Sequence, residues 1–132
     1  TWDGEHLGHG VEELEGPTGD INLDRLEAWL RDAADFTEPE LYVYERLNDA
    51  VVAASPVFDE VTELVERVAR EHDADCTAVK TRELEKWATG KGNCKVSAMV
   101  SEANRRLGLN LRDPERAHAV LMVCWARERV TV

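Results

Sequence analysis

The sequence predicts an all-α fold of about five helices, and three observations lead to this prediction. Apolar residues recur at helical spacing in each candidate segment. Capping residues followed by proline begin several segments, as at Asp113 and Pro114. Glycine follows the last periodic residue of another segment, at Gly108. The C-terminal half therefore favours a helix-turn-helix or winged-helix arrangement, and the β-prone residues 130–132 favour a short terminal strand.

The first three predicted helices lie in the N-terminal part of the chain. The first begins near residues 20–22 and carries leucines at helical spacing. The second begins at residues 37–40, where Thr-Glu-Pro-Glu has the form of a capping box, and runs to about Ala54. The third follows Ser55 and Pro56 and runs to about residue 72, with its valines on one face.

The stretch 77–108 organises the C-terminal half. A short helix follows Thr81, the turn Gly90-Lys91-Gly92 ends it, and a second helix covers about 95–107. A further helix begins at residues 113–115. Its run 119–126 is apolar on nearly every side, so periodicity does not separate a helix from a buried strand there. The capped start and the length of this segment favour a helix.

Composition divides the chain into an arm and one domain. Residues 1–19 combine five glycines with a proline and several acidic residues, a composition that buries too little apolar area to offset its ordering entropy. We therefore expect a flexible acidic, glycine-rich arm there. Residues 20–132 hold all the periodic segments and predict a single helical domain, with a basic sub-region over 76–132.

Cysteine content and hydropathy indicate the cellular setting. The three cysteines cannot all pair within the chain, which favours free thiols in a reducing compartment. There is no apolar run of about 18 residues, so no membrane span is predicted. The first residues, TWDGEHLGHG, have neither the basic nor the apolar part of a secretory signal. A cytoplasmic location follows as the expectation.

The acidic surface is poor in lysine. Twelve arginines and four lysines stand against twenty-seven acidic residues, with a net charge of −11. A surface of this kind stays hydrated in concentrated salt, where the screening length falls to about 3 Å at 1 M. This composition favours a salt-loving host, and an ordinary acidic protein is the alternative.

The charge changes sign along the chain. Residues 1–75 carry five basic and twenty-one acidic side chains, a net −16, whereas residues 76–132 carry eleven basic and six acidic side chains, a net +5. A basic half on a strongly acidic protein favours binding of a polyanion. The alternative is that the two halves neutralise each other across an internal or subunit interface.

The predicted second helix of the stretch 77–108 has one polar face. Once its core positions are removed, small hydroxyls, an amide and a guanidinium remain, which are groups that a DNA-binding helix carries. Basic residues at the turn and on the preceding helix suit phosphate contacts. The predicted nucleic-acid-binding residues are Lys80, Arg82, Lys91, Lys95, Ser97, Ser101, Asn104 and Arg105.

Two features weaken a tight helix-turn-helix. The connection 89–94 has six residues, more than the three or four of the tight motif. Residues 109–113 offer no second alternating strand for a wing. The leading prediction is a DNA-binding module, as a small regulator or as part of a replication or regulatory protein. The alternative is a non-catalytic adaptor or oligomerisation domain that acts through protein–protein contacts.

No catalytic residue, metal site or cofactor is predicted. His72 and Cys76 are four residues apart, but the Cys-x-x-Cys spacing of a zinc knuckle is missing. Cys94 lies between two lysines near a predicted helix start, where a thiol pKa would fall, although no nucleophile signature accompanies it. The chain is therefore expected not to be an enzyme.

Overall fold

The structure is a computed structural model that describes residues 22–46, 53 and 57–130. The predicted arm at 1–19, the start of the third predicted helix at Ser55 and Pro56, and the end of the predicted terminal strand at 131–132 lie outside the described residues. The described elements, in chain order, are α1 (Leu23–Thr37), β1 (Leu41–Arg46), α2 (Val57–Glu71), β2 (Asp75–Lys80), α3 (Thr81–Thr89), α4 (Val96–Leu107) and α5 (Pro114–Val130).

The two strands pair in parallel. The backbone N–H of Asp75, at the start of β2, donates to the carbonyl oxygen of Glu40, just before β1, over 2.9 Å. Both strands therefore begin at the same end of a two-stranded sheet. Parallel neighbours need a crossover connection, and α2 provides it. The fold is mixed α/β, and the all-α prediction is wrong.

The first part of the second predicted helix, residues 41–46, is a strand because its capping sequence belongs to the end of α1, and most of the remainder up to Ala54 lies outside the described residues. Glu38 adopts a left-handed conformation with φ 44° and ψ 58°, and its N–H donates to the carbonyl oxygen of Ala34. The sequence at 37–40 therefore ends one helix instead of starting another. The residues that follow, Leu-Tyr-Val-Tyr, are aromatic and β-branched and suit a half-buried sheet surface.

Strand β2 was not predicted, because it is short and has a charged residue at each end. Asp75 and Lys80 bound four residues of which Val79 is fully buried. Six residues give too few positions for a period of two to be distinguished from a helical start. Thr81, predicted as a cap, is instead the first residue of α3, which begins directly at the end of the strand.

The described residues divide into two compact units, one up to Ala78 and one from Val79 onward. In the first unit, α1 packs against α2 around a cluster of buried aliphatic residues: Leu26, Leu30, Leu64, Val65 and Val68. The tyrosines of β1 pack on this cluster. The Tyr44 hydroxyl donates to Glu66 over 2.8 Å, and burial together with this carboxylate raises the pKa of Tyr44 to about 12.

Exposed ion pairs join α1 to α2 at the edge of that core. Arg31 donates to Glu71 over 2.6 Å, and Arg67 donates to Glu27 over 2.7 Å. Ion pairs this exposed contribute little to stability individually, because water and salt screen the attraction. The aliphatic cluster between the helices therefore accounts for most of the stabilisation in this unit.

In the second unit, α3, α4 and α5 pack against one another. Their buried residues are Leu84, Ala88, Met99, Ala103, Ala117, Val120, Leu121, Trp125 and Ala126. Gly108 ends α4 in a left-handed conformation, as predicted, with φ 63°. The apolar run 119–126 is helical, so the ambiguity of that segment is resolved in favour of a helix. Helix α5 extends to Val130, where the sequence favoured a strand.

The described helices include none that combines the length and the apolar composition needed to cross a bilayer. The division into an arm and a single domain stays a prediction.

We expect Val120→Ala to lower the free energy of unfolding by about 2 kcal/mol, because two buried methyl groups leave a well-packed site. Val120 is 1% exposed. The matched control is Val96→Ala, since Val96 is 55% exposed and its change should stay within about 0.5 kcal/mol. Denaturant unfolding measures both. Equal losses would contradict the described core.

Candidate nucleic-acid interface

The connection between α3 and α4 forms an open pocket. Helix α3 ends at Gly90, which adopts φ 85° and donates to the carbonyl oxygen of Lys86. The chain then turns back towards α3. A methyl group on Gly92 would therefore lie 3.6 Å from the carbonyl oxygen of Arg82. The pocket has a volume of about 410 Å³ and is lined by Lys91, Asn93, Cys94, Lys95, Ser97, Ala98 and Ser101.

Two helix N-termini in this unit carry lysine at the N-cap. Lys80 precedes α3 and Lys95 precedes α4, and within the described residues neither start has a side-chain capping hydrogen bond. The first N–H groups of a helix have no partner inside it and carry partial positive charge. A lysine there adds positive charge to an end that already favours anions. The first turn of α3 also carries an acidic residue, Glu83, whereas the first turn of α4 carries none, so the start of α4 is the one that favours a bound anion.

The pocket brings together half of the predicted site residues: Lys91, Lys95, Ser97 and Ser101. Arg105 is exposed and lies one turn beyond Ser101 on α4. Arg82 is exposed at the start of α3, next to the returning turn at Gly92, and Lys80 is exposed at the end of β2. Asn93 also lines the pocket, and Lys95 occupies the N-cap position of α4.

Asn104 has a structural task. Its amide nitrogen donates to the carbonyl oxygen of Leu111 over 3.0 Å, and its amide oxygen accepts from the Leu111 N–H over 2.7 Å. This pair of bonds holds the loop that follows α4 against the helix. The side chain was predicted to contact nucleic acid, and in the structure both of its hydrogen-bonding groups are engaged with backbone. The same loop, residues 109–113, is fully described and contains no strand, so the winged-helix interpretation finds no support.

A cluster around the predicted residue Arg105 includes side chains that were not predicted as part of the site. Glu102 accepts hydrogen bonds from Arg105 and Arg106. Arg106 also lies over the Trp87 ring, 4.1 Å from its centroid, and the Trp87 indole N–H donates to Glu128 over 2.8 Å. The i,i+3 and i,i+4 spacing of Glu102 to the two arginines was a signal available in the sequence. The contact of Arg106 with Trp87 was not.

The two guanidinium groups change the acidity of Glu102. Hydrogen bonds from Arg105 and Arg106 lower its pKa from 4.5 to about 2. The Glu102 carboxylate therefore stays ionised at neutral and mildly acidic pH. One carboxylate shared by two arginines leaves the cluster with a net positive charge.

The cysteines are unpaired and half-buried. Burial raises the pKa of the Cys76 and Cys124 thiols, which makes both of them less reactive. His72 is engaged with α2, since its Nδ1 lies 2.9 Å from the Val68 carbonyl oxygen. In the ranges that the structure describes, no group of three histidine, cysteine, aspartate or glutamate residues could hold a metal ion.

Comparison with known proteins gives a match in structure alone. No protein-family model matches the chain, and no curated protein matches it. The fold is similar to that of RuvC from T. thermophilus in complex with a Holliday junction substrate, with a TM-score of 0.63 and 17% sequence identity. The match covers 76% of this chain, which spans 63% of the RuvC chain.

The likeness agrees with the mixed α/β class of the described fold and gives no support to an all-α helix-turn-helix fold. It also contradicts the prediction that the chain is not an enzyme, because RuvC, which shares the fold, was solved with a substrate. The fold is compatible with DNA binding, since a Holliday junction is a DNA structure.

We expect Asn104→Ala to lower the free energy of unfolding by about 1–3 kcal/mol, because it removes both bonds to Leu111 and leaves backbone groups unpaired. Ser101→Ala, at an exposed position on the same helix, is the control and should stay within about 0.5 kcal/mol. Denaturant unfolding provides the measurement. An Asn104→Ala variant as stable as the control would argue against the clamp.

The lowered pKa of Glu102 predicts a pH dependence of stability. Its ionised form is favoured in the folded state, so its contribution is complete above about pH 4.5 and is lost as the pH falls towards 2. In Glu102→Gln this contribution is absent. Urea unfolding between about pH 5 and 3 should therefore show a steeper loss of stability in the wild type than in the variant. Parallel pH profiles would contradict the assignment.

Proposed function

We propose that the chain binds nucleic acid through the exposed basic groups of α3, α4 and their connection. This basic surface comprises Lys80, Arg82, Lys91, Lys95, Ser97, Ser101 and Arg105. The observation that carries the proposal is the pocket at the start of α4, which gathers two lysines and two serine hydroxyls at a helix N-terminus without a side-chain cap. The net charge of +5 over residues 76–132 supports it.

Each group at the pocket suits a phosphate. Lysine ammonium groups neutralise phosphate charge and release counterions, serine hydroxyls donate to phosphate oxygens, and first-turn N–H groups point at a bound anion. The open shape of the pocket admits a polymer, whereas an enclosed cavity would select a small ligand.

The surface extends along α4 beyond the pocket. Arg105 lies ten residues after Lys95, which corresponds to about 15 Å along a helix. That length corresponds to about four nucleotides of one DNA strand at 3.4 Å each. With Asn104 engaged by the Leu111 backbone, the face is poorer in groups that read bases than the sequence predicts. The surface thus favours contacts to the phosphate backbone over readout of a base sequence.

The RuvC likeness suggests which nucleic acid to offer first. RuvC was solved with a Holliday junction, so we propose branched DNA as the preferred ligand class and a role in DNA processing. A backbone-directed surface recognises a branched structure by its shape, because the positions of phosphates differ between a junction and a straight duplex. A sequence-specific regulator would need more base contacts than this face offers.

The test is a fluorescence-anisotropy titration of a four-way junction, a duplex and a single strand of matched length. Salt is varied from about 0.05 M to multimolar, because a halophilic host would reduce the contribution of counterion release. Lys91→Ala/Lys95→Ala should weaken binding roughly 10- to 50-fold at about 0.1 M salt and lower the salt slope by about 1.8, from about 0.9 for each lost phosphate contact.

The control removes two arginines outside the basic surface, Arg112→Ala/Arg127→Ala, with the same change in net charge. It should bind much more tightly than the lysine variant. Equal losses in both variants would reduce the effect to general charge. If the wild type bound none of the three DNA ligands at any salt concentration, the proposal would be wrong.

A further inference from the structure

Glu102 lies between an exposed arginine and a fixed one. Both oxygens of its carboxylate accept from Arg105, and one of them also accepts from Arg106 Nε over 2.8 Å. The Glu102 side chain is only 17% exposed, whereas that of Arg105 is 70% exposed. The Glu102 carboxylate is thus largely shielded from solvent, whereas the arginine bound to it is largely exposed.

Arg106 is immobilised by several contacts. Its guanidinium lies over the Trp87 ring, and Nη2 donates to the Ala88 carbonyl oxygen over 3.3 Å at the end of α3. Its side chain is 25% exposed. Because these contacts restrict the Arg106 side chain, its hydrogen bond restricts the Glu102 carboxylate as well. The carboxylate is therefore fixed relative to both α3 and α4.

Arg105 uses one edge of its guanidinium to bind this fixed carboxylate. Its Nε donates to Glu102 Oε2 over 3.2 Å, and its Nη2 donates to Oε1. In the part of the chain that the structure describes, no group accepts from Nη1 of Arg105. A guanidinium has five donors in a rigid plane, so the edge opposite Glu102 keeps donors for a second acceptor.

We propose that Glu102 is a positioning residue that holds Arg105 by one edge so that its free edge grips a phosphodiester of a bound nucleic acid strand. The inference rests on the proposed nucleic-acid-binding function and deepens it. Arg105 lies one turn beyond Ser101, which lines the phosphate-binding pocket, so the grip extends that pocket along α4.

The arrangement reduces two costs of binding. An arginine that is already held loses less side-chain freedom when the phosphate arrives. Arg106 offsets the negative charge of Glu102, so the cluster stays positive and attracts the phosphate instead of repelling it. A lone Glu102–Arg105 pair would be neutral and would attract a polyanion only weakly.

The test is a double-mutant cycle read by anisotropy on the DNA that the wild type binds best. Arg105→Ala should weaken binding roughly eight-fold at about 0.1 M salt and lower the salt slope by about 0.9, because one phosphate contact is lost. Arg105→Lys keeps the charge but cannot be held by one edge while another edge binds. It should keep the wild-type slope and bind a few-fold more weakly.

The contribution of Glu102 is isolated by a charge-matched control. Glu102→Gln and Glu115→Gln each remove one negative charge, and Glu115 is exposed on α5 with no contact to either arginine among the described residues. Glu102→Gln should bind roughly five-fold more weakly than Glu115→Gln, since only the former loses the hold on Arg105. In an Arg105→Ala background the two should bind equally.

Two other outcomes overturn the positioning role, and a third overturns the proposed function as well. Equal binding by Glu102→Gln and Glu115→Gln, with wild-type binding intact, overturns the positioning role alone. A difference that persists without Arg105 also overturns it, because Glu102 would then act through the fold or through Arg106. If the wild type binds no DNA at any salt concentration, the proposed function fails and this inference fails with it.

Discussion

The parallel pairing of β1 with β2 is the constraint on which the arrangement of the elements from α1 to β2 depends. The bond from the Asp75 N–H to the Glu40 carbonyl oxygen aligns the starts of the two strands. Parallel alignment requires the chain to return to its starting edge, so α2 must cross over between the strands. The buried residues of α2, among them Leu64, Val65 and Val68, then pack against α1 and the tyrosines of β1.

The end of β2 determines where the candidate interface begins. Lys80 is the last residue of the strand and Thr81 the first of α3, so no loop separates the sheet from this helix. The start of a helix is thereby placed directly at the end of a strand, with a lysine at its N-cap.

Helices α3 and α4 are joined by a polar cluster in addition to their apolar contacts. Trp87 contributes its ring face to Arg106 and its indole N–H to Glu128, so one aromatic side chain on α3 contacts α4 and α5. Glu102 and Arg106 complete the link. The same cluster contacts Arg105, the exposed arginine of the proposed surface, through Glu102, so the packing of these helices and the proposed binding surface share residues.

The sequence by itself determined the helices whose signals are local. Leu26 and Leu30 at helical spacing, the Asn22 cap and the glycine at 108 each act within a few residues, and α1, α2, α4 and α5 followed from such patterns. The charge division at residue 76 also needed only the sequence, and it located the basic half that supplies the candidate site.

Only the tertiary structure decided the class of the fold and the roles within the site. Residues 37–40 satisfy the rules for a helix start, but the left-handed Glu38 turns them into a helix end, and the following strand exists only because a partner lies 34 residues away in β2. Asn104 and Arg105 are adjacent and polar, yet one is engaged by the Leu111 backbone and the other by Glu102. Pairing across such distances depends on the fold, because local propensity has no information about the partner.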